Sequence, residues 1–109
     1  MEIEFANNHL QKMCEDDKYA NKKIGNVCLK KLKARISDVL AAESVSELIA
    51  GSPHPLIGDR EGHYSITICR GNRLIFVPAN NPTPLTESNK IDWPNVTKIR
   101  ITEIVDYHD

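Results

Sequence analysis

The sequence lacks the marks of a membrane, metal-binding or disulfide-stapled protein. Among its 109 residues there is no CxxC pair and no apolar run near the roughly 20 residues that a membrane-spanning helix needs. Its cysteines, Cys14, Cys28 and Cys69, are odd in number and widely spaced, which argues against a disulfide framework or a zinc module. Because the first residues also lack the pattern of a signal peptide, we expect a protein of the reducing cytoplasm, without membrane partners.

Motifs for cofactors and common nucleophiles are missing as well. There is no glycine-rich phosphate loop, no serine-nucleophile motif and no close spacing of histidine and cysteine ligands. We therefore expect no cofactor and no metal. The composition, 40% hydrophobic and 27% charged, is that of an ordinary globular chain and predicts a single domain spanning residues 1–109.

Net charge is only −1, but positive charge is concentrated in one segment. Between residues 12 and 37 there are eight Lys or Arg side chains against three acids. A local cationic face is a better indication of phosphate binding than total charge, although a solvated helix face is the more ordinary interpretation. The candidate phosphate-binding residues on this segment are Lys22, Lys23, Lys30 and Lys33.

Hydrophobic periodicity in the first half predicts a strand and two helices. Ile3 and Phe5 alternate with acids, as in a short strand, and Asn7 or Asn8 is placed to cap a short helix that ends near the acidic run 15–17. Between about residues 19 and 42, apolar residues recur at helical spacing and predict one long amphipathic helix. The predicted buried stripe comprises Ile24, Val27, Cys28, Leu32, Ile36, Val39 and Leu40.

The second half has the pattern of strands and turns. Prolines and glycines around His54 predict an irregular loop over residues 50–62. Alternation in 63–69 and 73–77 around a turn at 70–72 predicts a β-hairpin. A long loop, 78–95, carries Trp93 as its expected packing anchor, and 96–105 forms the last strand. The sequence thus predicts an α+β fold: an N-terminal strand and two helices packed on a twisted, mainly antiparallel sheet.

Four groups of polar residues together suit metal-free RNA cleavage. In that chemistry the 2′-hydroxyl attacks the adjacent phosphate, so a base, an acid and cations are needed. Histidine suits the proton transfers and arginine the phosphate charge, while a carboxylate orients an imidazole and a tyrosine binds phosphate or stacks on a base. The groups are His54 with Arg60, Arg70 with Arg73, the basic helix, and Asp106–Tyr107–His108.

The residues alone also allow a plainer interpretation. His54 could be an exposed loop residue, Arg70 a solvated turn residue, and the terminal residues a polar tail. Arg73, inside a predicted strand, is harder to explain as a solvated side chain.

Three segments resemble a known family. HPLIGDREGHYSI (54–66), GNRLIFVPANNP (71–82) and the ending DWPNVTKIRITEIVDYH (92–108) resemble HigB-type toxins of the RelE/ParE superfamily, in particular the subgroup called plasmid maintenance killer or killer suppression proteins. The resemblance runs from about Ala50 to the C-terminus. It implies a RelE-like fold and a ribosome-dependent mRNA endoribonuclease (an mRNA interferase) that a small HigA-like helix-turn-helix antitoxin neutralises. By this resemblance His54, Asp106, Tyr107 and His108 are catalytic, and Arg60 and Arg73 contact phosphate.

A non-catalytic binding protein of the same fold is the alternative hypothesis. It would be a gyrase inhibitor of the ParE type or a killer-suppression partner. The near-neutral net charge favours this alternative, because ribosome binding favours a basic protein. The clustered acid, phenol and imidazole at 106–108 favour the enzyme.

Overall fold

The computed structural model describes residues 1–105 in full and the backbone of Asp106. The predictions for Tyr107 and His108 therefore lie outside the described residues. In chain order the elements are β1 (Glu2–Phe5), α1 (Asn8–Glu15), α2 (Asp17–Ala41), β2 (His54–Pro55), β3 (Tyr64–Cys69), β4 (Asn72–Pro78) and β5 (Lys98–Asp106), with single-turn helices at Val45–Glu47, Gly58–Arg60 and Trp93–Asn95. None of the helices in this range is long and apolar enough to cross a membrane.

The five strands form one sheet in the order β1-β5-β4-β3-β2. β1 pairs with β5 in parallel, and the other neighbouring pairs are antiparallel. Buried side chains of α2 such as Leu32 and Val39 pack with Leu74, Phe76 and Ile101 of the sheet to form the core. The predicted α+β architecture is confirmed.

Local side-chain bonds set the helix ends near the predicted positions. The Asn7 side chain accepts a hydrogen bond of 3.0 Å from the backbone N–H of Leu10 and so caps α1. Asp16 ends α1 and caps α2, because its side chain accepts from the N–H of Tyr19 at 3.2 Å. The acidic run therefore marks a boundary between two helices.

The prediction of one continuous long helix is wrong at Gly25. This residue has φ 81° and ψ 166°, so α2 consists of two helical segments, 17–24 and 26–41. Lys33 Nζ lies 2.8 Å from Asp17 Oδ2, 16 residues away. In a straight helix those residues would be about 24 Å apart along the axis, beyond the combined reach of the two side chains. The segments are therefore sharply bent towards each other.

This break also changes the predicted buried stripe. Val27, just after the break, is 62% exposed because the second segment starts with a new orientation. Leu40 is also exposed, since its neighbour Val39 takes the buried position in the last turn. Adjacent helical residues point about 100° apart, so both cannot face the core.

Two cysteines are bonded, contrary to the sequence-based prediction. Cys28 of α2 and Cys69 of β3 form a disulfide with Cα atoms 5.5 Å apart and a sequence separation of 41. Tertiary packing, rather than spacing along the chain, brings them together. Cys14 is free, and burial raises the pKa of its thiol to about 12.

The segment around His54 is more regular than predicted. His54 and Pro55 form the short edge strand β2 opposite Ser65 and Tyr64 of β3. Proline is tolerated there because an edge strand leaves one row of N–H groups unused. Gly51 allows the chain before β2 to pass close to β3. It has φ 86°, and a Cβ on it would lie 2.6 Å from Ile66 Cγ2 and 2.7 Å from the Thr67 carbonyl oxygen.

Trp93 anchors the loop between β4 and β5, as predicted. Its ring centroid lies 4.7 Å from that of Tyr64 and 6.5 Å from that of Phe76. Asn80 closes the start of this loop by accepting hydrogen bonds from the N–H groups of Thr97 and Lys98.

Candidate functional site

The sheet face opposite the helices carries two of the predicted site residues, His54 and Arg73. Directly paired residues of adjacent strands lie on the same face, and side chains alternate along each strand. Register places His54, Ser65, Ile75 and Glu103 in one row across the sheet and Thr67, Arg73 and Val105 in the next. We call the surface formed by these seven residues the open face.

Arg60 lies over the open face and is bonded to Glu103. Nη1 of Arg60 donates to Oε1 of Glu103, and Nη2 donates to Oε2 at 2.9 Å. This bidentate geometry fixes the guanidinium plane. Because Arg60 reaches β5 from the β2–β3 connection, that connection crosses the sheet, and Ser65 and Ile75 beneath it are both 0% exposed.

The ion pair with Arg60 also favours the ionised form of Glu103. The hydrogen bonds from Arg60 hold the pKa of the Glu103 carboxyl below its usual range, and the nearby His63 acts in the same direction. The Nδ1–H of His63 in turn donates to the carbonyl oxygen of Arg60 at 3.1 Å. Glu103 is therefore an ionised group that orients the arginine.

Arg73 occupies the second row of the open face. Its Nη1 donates to Thr67 Oγ1 at 2.9 Å across the β3–β4 pair. The side chain is partly exposed. The structure thus holds a second cation on the same face as Glu103.

His54 is exposed at the edge of the face. Its Nδ1 lies 2.8 Å from the carbonyl oxygen of Ser52, so this nitrogen is the donor. In the neutral imidazole, Nε2 is then the acceptor. A histidine in this tautomer can take a proton at Nε2.

The described strands do not bring His54 and Asp106 into contact. β2 and β5 are three strand spacings apart, about 14 Å at the usual separation. Asp106 is opposite Asn72, three residues beyond the row that contains His54 and Glu103. The predicted meeting of His54 with Tyr107 and His108 lies outside the described residues.

The basic segment does not adjoin the open face, because α2 packs on the other side of the sheet. Lys33 pairs with Asp17, and Lys23 Nζ lies 5.5 Å from the centroid of the Tyr19 ring. Lys22 and Lys30 are exposed. These lysines therefore belong to a separate surface.

Glu103 was missed by the reasoning from sequence. The available signal was a carboxylate placed within a strand rich in isoleucine and valine, where a charge is costly without a partner. Its partner, 43 residues away, could not be identified from local pattern. Among the described residues, no group of three His, Cys, Asp or Glu side chains could hold a metal ion.

Comparisons with known proteins identify the fold. No protein-family model and no curated protein matches the sequence. A solved YoeB/ParE toxin from Agrobacterium tumefaciens is similar with a TM-score of 0.61 at 14% identity, covering 99% of this chain and 100% of that one. A YoeB–YefM complex from Staphylococcus aureus gives a TM-score of 0.58 at 20% identity, covering 100% and 98%. A YoeB dimer from the same organism gives 0.55 at 20% identity, again covering 100% and 98%.

These matches extend over the whole length of the chains. They show that this chain has the YoeB/RelE-like toxin fold, as the resemblance implied. The narrower resemblance to HigB-type toxins stays a prediction.

Proposed function

We propose that this chain is the toxin of a toxin–antitoxin pair and an endoribonuclease. In the finer form of the proposal it is a HigB-type, ribosome-dependent mRNA interferase of the cytoplasm. The observation that carries the proposal is the full-length fold match to YoeB/ParE toxins. The open face supplies fixed cations and an imidazole, which suit cleavage of a phosphodiester.

The proposed reaction needs no metal. A base removes the proton of the RNA 2′-hydroxyl, and the oxygen attacks the adjacent phosphorus. The bond to the 5′-oxygen breaks, and that oxygen takes a proton from an acid. The products are a 2′,3′-cyclic phosphate and a 5′-hydroxyl end.

The open face provides the electrostatic part of this scheme. Arg73 and Arg60 are held by Thr67 and Glu103, so both cations are oriented before substrate arrives. Oriented charges stabilise the phosphorane without reorganisation during the reaction. In the proposal His54, Asp106, Tyr107 and His108 supply the proton transfers and their orientation.

The lysines are assigned a separate role in ribosome binding. Lys22, Lys23 and Lys30, together with Lys33, would contact ribosomal RNA phosphates in a salt-sensitive, sequence-independent manner. The inhibitory partner would be a small HigA-like helix-turn-helix antitoxin. One neighbour in fold is described as a YoeB–YefM toxin–antitoxin complex, which supports a partner of this general kind.

The test is induced expression in growing cells followed by mapping of mRNA 5′ ends. We expect new ends at codon-registered positions in translated messages. His54→Ala and His108→Ala should abolish growth inhibition, because removing a general acid or base typically lowers a rate by about 10² to 10⁴. Asp59→Ala, at an exposed position of the β2–β3 connection that follows His54, is the matched control and should remain toxic.

Two results would contradict the proposal. Full toxicity of both histidine variants at matched expression would refute the assigned residues. Intact messages together with DNA damage would refute RNA cleavage and favour a gyrase inhibitor.

A further inference from the structure

A cleft of about 620 Å³ opens between α1, the break in α2 and the β3–β4 turn. We call it the Gly25 cleft. Its floor is apolar and includes Met13, Ile24 and Ile104. Its polar rim consists of His9, Lys23, Asn26, Arg70 and Asn72. Pockets of about 300 to 1,000 Å³ are usual for small organic ligands, so the volume suits a nucleotide.

The cleft is separate from the open face. Ile104 pairs with Leu74, whose side chain packs in the core on the helix side of the sheet. Glu103, the preceding residue, belongs to the opposite face. A ligand in the cleft would therefore leave the arginines of the open face accessible.

The charge of the rim is positive. Among the lining residues that the structure describes, none is acidic. Lys23 is held over the ring of Tyr19, with Nζ 5.5 Å from the centroid, and Lys12 approaches the same ring at 5.7 Å. The hydroxyl of Tyr19 is fixed by His9 Nδ1 at 2.5 Å. The positive charge at this rim is thus held in position before a ligand binds.

Two unusual backbone conformations flank the cleft. Gly25 has φ 81° and interrupts α2, which leaves Val27 exposed beside the opening. Arg70 has φ 51° in the β3–β4 turn, a left-handed conformation that costs a residue with a side chain roughly 1 kcal/mol or more. A costly conformation such as that of Arg70 is often retained at a functional site, whereas Gly25 adopts its positive φ without a side-chain penalty. The two conformations place an arginine and a helix break on either side of one cavity.

We propose that the Gly25 cleft binds a nucleotide of single-stranded RNA. The phosphate would lie between Lys23 and Arg70, and the base would lie on the apolar floor. Asn26 and Asn72 each offer an amide donor and acceptor, which suit a base edge. This inference rests on the proposed function, since it names where the substrate is held outside the cleavage position. It assigns Lys23 to the substrate RNA and leaves Lys22, Lys30 and Lys33 for ribosomal RNA. Asn72 is also the cross-strand partner of Asp106, which links the cleft to the end of β5.

Binding can be measured without cleavage on the whole chain. The probe is a fluorescein-labelled, 2′-O-methyl RNA decamer, which lacks the attacking hydroxyl, and the readout is anisotropy at two salt concentrations. The double variant Lys23→Gln/Arg70→Gln should weaken binding on the order of tenfold. It should reduce the log–log salt slope by about 0.7, the contribution of one phosphate contact with single-stranded RNA.

The matched control is Lys18→Gln/Lys31→Gln. It removes two exposed cations from α2 that do not line the cleft. We expect less than a twofold change in affinity. Equal weakening by both double variants would overturn the proposal, because the effect would then be diffuse attraction rather than a site.

A second measurement locates the ligand directly. Titration with 5′-UMP should shift the NMR methyl signals of Met13 and Ile104, which line the cleft. Absence of shifts at Met13 and Ile104 would overturn the proposal. So would displacement of the RNA probe by a glutamate-rich peptide at lower concentration than unlabelled RNA, since this result would assign the cleft to an acidic protein partner.

The experiments distinguish failure of the proposed RNA cleavage from failure of the proposed RNA binding in the cleft. If the cleft binds the decamer but messages remain intact in cells, RNA cleavage is wrong and the binding site stands. If messages are cut but the cleft variant binds like its control, only the cleft assignment is wrong.

Discussion

The open face and the Gly25 cleft hold their positive charges in different ways. On the open face Arg60 is bonded to Glu103 and Arg73 to Thr67. In the cleft Lys23 rests over an aromatic ring, and the described lining contains no carboxylate. The hydrogen bonds on the open face fix the orientation of both guanidinium groups, as a reaction centre requires. The arrangement in the cleft leaves net positive charge, as a binding site for an anion requires.

The two regions also differ in what maintains them. The cleft is lined by the disulfide-bonded Cys28 and by Gly25 at the break in α2, whereas the open face is held by hydrogen bonds and an ion pair. Perturbing either region should therefore have effects of different size and different dependence on solution conditions. Three changes test this, from the largest expected effect to the smallest.

The largest effect is expected from loss of the Cys28–Cys69 bond. Cys28→Ala/Cys69→Ala, or a reducing agent, should lower the free energy of unfolding by roughly 4 kcal/mol, because a link across 41 residues restricts the unfolded chain. Urea unfolding with and without reductant measures this. The double variant should be insensitive to reductant, while Cys14→Ser should retain the reductant effect. An unfolding free energy that reductant leaves unchanged would contradict the prediction.

A smaller effect is expected from Gly25→Ala. Nothing lies within 4 Å of a Cβ built at Gly25, so the cost comes from its positive φ alone and should be about 1 to 2 kcal/mol. Gly58→Ala is the matched control, since Gly58 also has a positive φ and open space around it. Both variants should melt at lower temperature, but only Gly25→Ala should weaken binding of the RNA decamer. Equal loss of decamer binding in Gly25→Ala and Gly58→Ala would contradict the assignment of RNA binding to the Gly25 cleft.

The smallest effect is expected from Glu103→Gln on the open face. The side chains of Arg60 and Glu103 are 38% and 31% exposed, so solvent screening limits the pair to about 1 kcal/mol or less. The pKa of Glu103 is lowered in the folded state. Its contribution should therefore be full above the ordinary carboxyl pKa and disappear as pH falls through the lower folded value.

Urea midpoints at pH 7, 5 and 3 measure this contribution. The difference between the original chain and Glu103→Gln should shrink towards pH 3. Glu61→Gln, which breaks the more exposed pair with Lys90, should change the midpoint less at pH 7. A difference that grows on acidification would contradict the assigned sign.

The elements that sequence reasoning identified depend on local pattern. The alternation around residues 70–72 identified the β3–β4 hairpin, Asn7 identified the start of α1, and Trp93 was correctly expected to anchor a loop. These features need information from only a few neighbouring residues. They were therefore accessible before the fold was known.

The features that were missed depend on contacts between distant segments. Cys28 meets Cys69, and Arg60 meets Glu103, only after the helices and strands have packed. The break at Gly25 was also missed, because helical spacing continues on both sides of one glycine. For the candidate site, the sequence indicated the cations Arg60 and Arg73 but not the groups that orient them.

The position of β5 has a consequence for the order of assembly during translation. β5 lies between β1 and β4 in the sheet and pairs with both, yet it is synthesised after every other described element. β1 leaves the ribosome before β5 and stays unpaired until residues 98–106 have emerged. Pairing over such a long separation in sequence is slow to form. A nascent chain of this protein therefore cannot complete its sheet, or either surface built on it, until residues 98–106 have left the ribosome.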